Sequence, residues 1–333
     1  MKLDLIENFV GQDVDIKKLR PSGSYDFLIN NRNGNLQKIL DDIPLLNSLT
    51  TLRSCPACQC DDFIHVLKKD NLDIVKCCSC STIYVNPIFD DSKYKDIYND
   101  KHYNKVIQKH SIKSHLYRYE RFGKERVKIF EKFYNTELPK RYLDIGCASG
   151  FTVECAKDNN WIAEGVELTK SSVEFARNLG LKIYSKPLEE IEFSEQYSVI
   201  SLFDVLEHLV SPMDTLKQVF DLLHPSGIVV IYVPNWNSAS RKLLGEENAH
   251  FIWPSHHLTY FTPQTLSDFV IRAGFDVIHW ETQGLDLLDF QWYLNSKNVD
   301  NKWIDSFGDL LQFYINSSGH GKNLRLVAKK PLK

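Results

Sequence analysis

Long apolar runs are absent from this chain of 333 residues. No stretch approaches the ~20 uninterrupted apolar residues of a membrane-spanning helix, so neither a transmembrane span nor a membrane partner is expected. The opening "MKLDLIENFVGQDVD" lacks the basic start and apolar core of a secretory signal. A surplus of charge is absent too: a formal net charge of −3 argues against a surface built to grip a polyanion. The remainder is ordinary, 43% apolar and 25% charged. A cytoplasmic protein with room for two domains is the expectation.

Cysteine, by contrast, is concentrated. Six of the 8 cysteines crowd into residues 55–80. In a reducing compartment, paired Cys-x-x-Cys motifs read as metal ligands rather than disulfides. Cys55-x-x-Cys58, 18 intervening residues and Cys77-x-x-Cys80 fit a four-thiolate zinc site. Neither pair opens a helix after a strand, which is the redox setting. Four thiolates leave no open coordination position, so the expected Zn2+ is structural, and its binding can supply folding free energy to a small lobe. Between the pairs, "DDFIHVLKKDNLDIVKC" reads as a hairpin turning at Asp-Asn. Cys60 and Cys78 are surplus.

From residue 140 the pattern changes to strands alternating with helices. "RYLDIG", "IAEGVEL", "LKIYSK", "YSVISLFDV", "IVVIYVPN", "FDVIHWET" and "LRLVAKK" read as seven strands. Helices are expected over "SGFTVECAKDNN", over "TKSSVEFARNLG" with Ser171 and Glu174 in capping-box spacing, over "SPMDTLKQVFDLLHPSG", and over "TPQTLSDFVIRAG" with Thr262 as cap and Pro263 at its first position. Such alternation implies a mostly parallel, doubly wound α/β sheet. Ligands of these sheets bind outside the carboxyl ends of the strands. "LDIGCASG" sits there, with Gly146 and Gly150 permitting close approach of the backbone. It is neither the dinucleotide Gly-x-Gly-x-x-Gly, since Ala148 fills the second glycine position, nor a P-loop. Glu167, at the end of the next strand, can accept both hydroxyls of a ribose. A ribose-bearing ligand without a pyrophosphate fits best.

At this point the chain resembles the seven-stranded S-adenosyl-L-methionine-dependent methyltransferases. The resemblance rests on "LDIGCASG", "GVEL", "FDVLEHLVSPMDTL", "LHPSGIVVIYVPN" and "HHLTYFTPQTLSDFVIRAGF" in that order, across residues 140–330. It implies strand order 3-2-1-4-5-7-6 with the last strand antiparallel. It also implies Asp144, Gly146 and Gly150 around the methionine part of the cofactor and Glu167 on the ribose. Cys147, Ala148, Leu168, Leu188, Phe203 and Asp204 complete the cofactor residues expected from it. Relatives place an acidic residue near the adenine where Pro187 stands here, so the Leu188 backbone is the expected contact. Ahead of this half, "CPACQC", "CCSCSTIYVNP" and "YKDIYNDKHY" resemble zinc-bearing methyltransferases that include deoxysugar C-methyltransferases. Those enzymes carry a further C-terminal domain, whereas the last strand expected here is at 324–330.

The expected organisation is an extension over 1–52, a zinc-binding module over 53–100, a linking helix over 101–140, and the methyltransferase domain over 141–333 with insertions at 236–258 and 283–323. Within the linking segment Ile112, Leu116, Tyr119, Val127 and Phe130 recur near helical spacing. "LQKILDDIPLLNSL" reads as one short amphipathic helix. Insertions of this length read as lids or interfaces, and "LDLLDFQWYL" equally as a dimer-forming helix.

Methyl transfer from a sulfonium is an in-line displacement, and a hydroxyl acceptor benefits from a base. Glu207 and His208 follow the fourth strand; His256 and His257 follow the fifth. All four are candidates for that work; the plainer readings are that Glu207-His208 is a turn feature packing against its loop and that one histidine of the second pair only anchors its loop. Asp204, Glu207 and His208 also resemble the carboxylate–carboxylate–His set that some quinone-pathway O-methyltransferases of this fold use for a divalent ion. The leading expectation is O-methylation of a small, sugar-containing acceptor. Alternatives are sugar C-methylation, a cofactor-binding scaffold, or RNA methylation. The last is disfavoured because residues 55–80 carry Lys68, Lys69 and Lys76 against Asp61, Asp62, Asp70 and Asp73, so nucleic acid is not the expected partner.

Overall fold

The computed structural model describes residues 14–19, 34–90, 92–94, 96 and 111–332. Most of "RPSGSYDFLINNRNGN" (20–35), which reads as loop or linker, and the start of the linking segment at 101–110 lie outside these. Among the described residues no helix is long and apolar enough to cross a membrane.

The N-terminal lobe holds β1 (Thr50–Thr51), β2 (Phe63–Lys69), β3 (Leu72–Cys77), β4 (Ile83–Val85) and β5 (Ile88–Phe89). The β2–β3 hairpin turns at Asp70-Asn71, with φ of 51° and 60°. That double left-handed geometry belongs to the tight hairpin turn, and short polar side chains tolerate it.

The larger half contains β6 (Arg141–Ile145), β7 (Ile162–Val166), β8 (Lys182–Tyr184), β9 (Tyr197–Phe203), β10 (Leu223–Pro234), β11 (Thr259–Tyr260), β12 (Asp276–Gln283) and β13 (Asn323–Lys329). Seven of these form one sheet in the order β8-β7-β6-β9-β10-β13-β12. β13 is antiparallel to both neighbours, and the other pairs are parallel. This is the expected 3-2-1-4-5-7-6.

Among the described residues, eight helices of eight residues or more flank the strands: α1 (Lys124–Phe133), α2 (Phe151–Asp158), α3 (Lys170–Asn178), α4 (Pro212–Leu222), α5 (Ala239–Asn248), α6 (Pro263–Arg272), α7 (Asp286–Ser296) and α8 (Lys302–Ser317). Alternate residues of a strand face opposite sides. Accordingly Leu143, Ile145, Ile200 and Leu202 pack against Leu216 and Val219 of α4 and Leu266 and Phe269 of α6. Tyr142 and Val199 pack on the other side against Val127 and Phe130 of α1 and Cys155 of α2. Thr262 caps α6 through Thr265, with Pro263 at the first turn.

The two halves share structure. β11 pairs with β4, extending the lobe to a sheet ordered β11-β4-β3-β2. A single apolar cluster unites Leu40 and Leu46, strands β3 to β5, and Trp236, Phe251, Ile252 and Tyr260. The first insertion therefore buries Trp236 and Phe251 as core instead of presenting them as a lid, with Trp253 half-buried. It carries α5, and the second insertion is largely helical, as α7 and α8.

Several local expectations differ. The segment 37–48 is two helices broken at Asp42, which caps the second by accepting from the Leu45 amide. α3 starts after Thr169 without a side-chain cap, so Ser171 lies inside it and forms no capping box. α4 stops at Leu222, because Pro225 cannot continue a helix and disfavours helical geometry before it. Its expected tail instead forms the irregular start of β10. In the linking segment Val127 and Phe130 are buried, but Leu116 is 73% exposed; a π-helical turn at Tyr119–Gly123 shifts the register between the two ends.

Candidate functional site

Two knuckles bring four cysteines together. The sulfurs of Cys55, Cys58, Cys77 and Cys80 all lie within 4.8 Å of one another. Cys55 and Cys80 are 3.5 Å apart, and Cys58 and Cys77 3.6 Å. A tetrahedral ion about 2.3 Å from each sulfur spaces the sulfurs roughly 3.8 Å apart, so the set fits zinc closely. Each knuckle closes through a left-handed residue, Gln59 (φ 61°) or Ser81 (φ 63°). Burial pushes the Cys55 thiol up. Cys80 is opposed by burial, yet hydrogen bonding to Thr82 helps bring it down to about 7. Exposed Cys78 lies outside the set, as does Cys60.

Arg53, just before the first knuckle, fastens the lobe to the sheet's active edge. Its guanidinium donates to the carbonyls of Val85 (3.3 Å), Val210 (3.0 Å) and Leu258 (2.8 Å). Leu258 in turn donates its amide to the Glu207 carbonyl at 2.7 Å and accepts from the Val85 amide at 3.0 Å. The sequence carries no periodic signal for this residue.

At the carboxyl ends of β6 and β7 the loop expected to hold a cofactor is tightly specified. Gly146 (φ 72°) and Gly150 (φ 79°) are left-handed. A Cβ on Gly146 would collide with Val205, and one on Gly150 would come within 2.7 Å of Leu181. Glu167 spans this loop, accepting from the amides of Ala148 (2.9 Å) and Thr169 (2.6 Å). A carboxylate has about four lone-pair sites, which leaves acceptor capacity for a diol. Next to it Leu168 is 59% exposed, an apolar surface on which a flat base can rest. These features fit an adenosyl group.

The other expected cofactor residues differ in depth. Asp144 is buried and accepts from Ser201 at 2.6 Å; burial lifts its carboxyl to about 6. Cys147 is buried, so its side chain faces the interior while its amide bonds to Val166. Phe203 is buried beneath the Arg126 guanidinium, 3.9 Å from the ring centroid. Leu188 opens a short turn after β8, Leu188–Glu190, and packs on the core. Asp204, left-handed at φ 56°, is open to solvent at the end of β9. His115 bridges Ser149 (3.0 Å) and Glu154 (2.7 Å), bracing the loop from behind.

Past β9, Glu207, His208 and His257 converge, each offering a ligand atom within 4.8 Å of the others. His208 Nδ1 donates to the His256 carbonyl at 3.0 Å, and His257 Nδ1 donates to the Phe251 carbonyl at 2.7 Å. A carbonyl only accepts, so each Nδ1 carries a proton and each neutral ring has its lone pair on Nε2. Burial pushes His208 down to about 4, which keeps it neutral. The Glu207 carboxyl is 2% exposed; among the described residues neither oxygen has a hydrogen-bond partner, and Oε1 lies 3.8 Å from His208 Nε2. Burial, with the Asp204 charge, pushes it well up. His256 stands apart: its ring stacks on Trp253 at 3.7 Å, and Nδ1 lies 2.9 Å from Ser255 Oγ.

A family model described as "Methyltransferase domain" matches residues 114–280. The chain belongs to this methyltransferase family. It is an S-adenosyl-L-methionine-dependent enzyme with the mixed α/β fold of that group. The methyltransferase is 27% identical over 190 residues to the ubiquinone biosynthesis O-methyltransferase of Ruegeria pomeroyi, covering 53% of this chain and 77% of the relative. It is 27% identical over 176 residues to the protein of the same name from Roseobacter denitrificans, covering 49% and 71%. Among solved structures it is similar to phosphoethanolamine N-methyltransferase 2 of Haemonchus contortus in complex with S-adenosyl-L-methionine. There the identity is 15%, the coverage 78% of this chain and 64% of that one, and the TM-score 0.49.

Proposed function

We propose that the methyltransferase transfers the methyl group of S-adenosyl-L-methionine to a hydroxyl of a small-molecule acceptor, at the corner built by Glu207, His208 and His257. The observation that carries this reading is that both imidazoles commit Nδ1–H to backbone carbonyls. Their basic nitrogens are thereby fixed as Nε2, gathered around a buried carboxyl with no hydrogen-bond partner. The acceptor oxygen forms a bond to the methyl carbon as the carbon–sulfur bond breaks, which leaves S-adenosylhomocysteine. The hydroxyl proton passes to an Nε2, with His257 as the first choice.

Two imidazole nitrogens and a carboxylate also suit a divalent cation, which would polarise the acceptor hydroxyl. The buried Glu207, 3.8 Å from His208 Nε2 and without a hydrogen-bond partner among the described residues, favours this addition, because a carboxylate is expensive to bury without full compensation. Zn2+ on Cys55, Cys58, Cys77 and Cys80 would be structural, holding the lobe whose Arg53 braces Leu258.

The two ubiquinone biosynthesis O-methyltransferases named above support a hydroxyl acceptor, and their shared name does not point to a sugar. RNA is disfavoured further, since one of the lobe's three lysines is occupied internally: Lys69 donates to the carbonyls of Glu246 and Glu247. The test is release of S-adenosylhomocysteine with a panel of phenols, catechols, sugars and nucleotide sugars, with His257→Ala as control. Turnover with a hydroxyl acceptor that His257→Ala abolishes supports the proposal. Turnover only with amines, or unchanged turnover in the variant, overturns it.

A further inference from the structure

Helix α8 carries an apolar stripe that its own domain does not cover. Trp303, Phe307, Leu310 and Tyr314 follow one another at spacings of four, three and four, with Leu311 alongside. Phe307 is 59% and Tyr314 61% exposed. The buried contacts of α8 lie on another side, at Ile304 and Gln312. The stripe continues onto β12, the outermost strand of the large sheet, where Ile278 and Trp280 are exposed. Trp280 joins the two parts, since a Cβ on Gly319, just past α8, would lie 3.4 Å from its ring.

We propose that this face is the interface with a second copy of the chain, formed by two-fold antiparallel packing of α8 on the partner's α8. A four-three-four spacing is the seam of a paired helix. A two-fold axis between Phe307 and Leu310 sets Phe307 on the partner's Leu310 and Trp303 on the partner's Tyr314. Antiparallel packing also opposes the helix dipoles and brings Lys302 to the carbonyl end of the partner's helix, where a cation is favoured.

Area supports a stable pair. Half-exposed aromatic and leucine side chains on α8 leave on the order of 600 Å² of apolar surface in water. A standard interface buries about 800 Å² per partner, and Ile278 and Trp280 extend the patch toward that value. A lipid surface is the poorer occupant: the charged residues of α8 are Lys302, Asp305 and Asp309, whereas membrane-lying helices favour a basic polar face.

The experiment is light scattering with size-exclusion chromatography on the full chain at micromolar concentration. Wild type is expected at twice the 38.6 kDa chain mass. Phe307→Glu and Leu310→Lys, both at exposed positions, are each expected to weaken the dimer roughly 100-fold while circular dichroism and thermal melting stay unchanged. Mixing the two variants is expected to restore the dimer, because each Glu then meets a Lys across the axis and the remaining Phe–Leu pair is intact. A monomeric wild type, a dimer that survives in either variant, failure of the mixture to reassociate, or a monomer that binds phospholipid vesicles through this helix overturns the proposal.

Discussion

Arg53 donates Nη2 to the Leu258 carbonyl at 2.8 Å, reaching across 205 positions of sequence from the first cysteine knuckle to the residue after His257. Together with the β4–β11 pairing, this bond ties the cysteine-bearing lobe to the loop that carries His257. Under the proposed function, the cysteine cluster thereby bears on the acceptor side of the site.

Loss of that tie is expected to affect acceptor chemistry more than cofactor binding. Arg53→Ala takes the guanidinium donor from the Val210 carbonyl and leaves the Leu258 carbonyl with the Val85 amide alone, a loss of about 1–3 kcal/mol in stability. Cys55→Ser combined with Cys77→Ser is expected to abolish zinc content by metal analysis and to impair acceptor turnover, with a smaller change in cofactor affinity. Full activity in metal-free protein would count against the link.

At the reacting corner, His257→Ala is expected to lower the turnover number about 100-fold or more, with cofactor affinity within a few-fold of wild type. Glu207→Gln tests the carboxylate separately. If it serves with a divalent ion, chelator-treated wild type and the variant should show the same low rate, and added metal should restore only the wild type. Steady-state rates with and without chelator decide this.

Glu167→Ala removes the carboxylate that spans the glycine loop. A charged hydrogen bond contributes about 1.5–3 kcal/mol, so the cofactor dissociation constant should rise ~10- to 150-fold by calorimetry. Gly146→Val adds a side chain at φ 72° against Val205 and should eliminate binding with some loss of thermal stability. Unaltered affinity in both variants would place the cofactor elsewhere.

Asp144 gives a pH signature. Its carboxyl is lifted from the ordinary 3.8 to about 6 by burial. A group whose folded-state pKa is raised contributes stability that is present below the unfolded value and lost as pH rises through the folded one. Wild type should therefore lose stability between about pH 4 and about pH 6 relative to Asp144→Asn, which keeps an oxygen for Ser201. Urea midpoints across that window provide the measurement; parallel pH curves would show that Asp144 is ionised throughout.

Much of the fold was legible because its signals are local. Apolar strands alternate with capped helices, Thr262-Pro263 starts α6 as written, and Asp70-Asn71 turns its hairpin. The glycine loop and Glu167 were visible for the same reason, since turn geometry and strand ends are set by a few adjacent residues. Arg53, the burial of Trp236 and Phe251, and the separation of His256 from His257 were not legible. Each depends on contacts between segments far apart in sequence, and periodicity does not record those. Ser171 shows the converse: capping-box spacing alone did not make a cap, because the chain enters α3 at Thr169 and Glu167 takes up the Thr169 amide.

Calorimetric titration of the full chain with S-adenosyl-L-methionine tests the central claim most directly. Saturable one-to-one binding, weakened in Glu167→Ala, is the predicted result. A folded wild-type protein that takes up no cofactor would contradict the account.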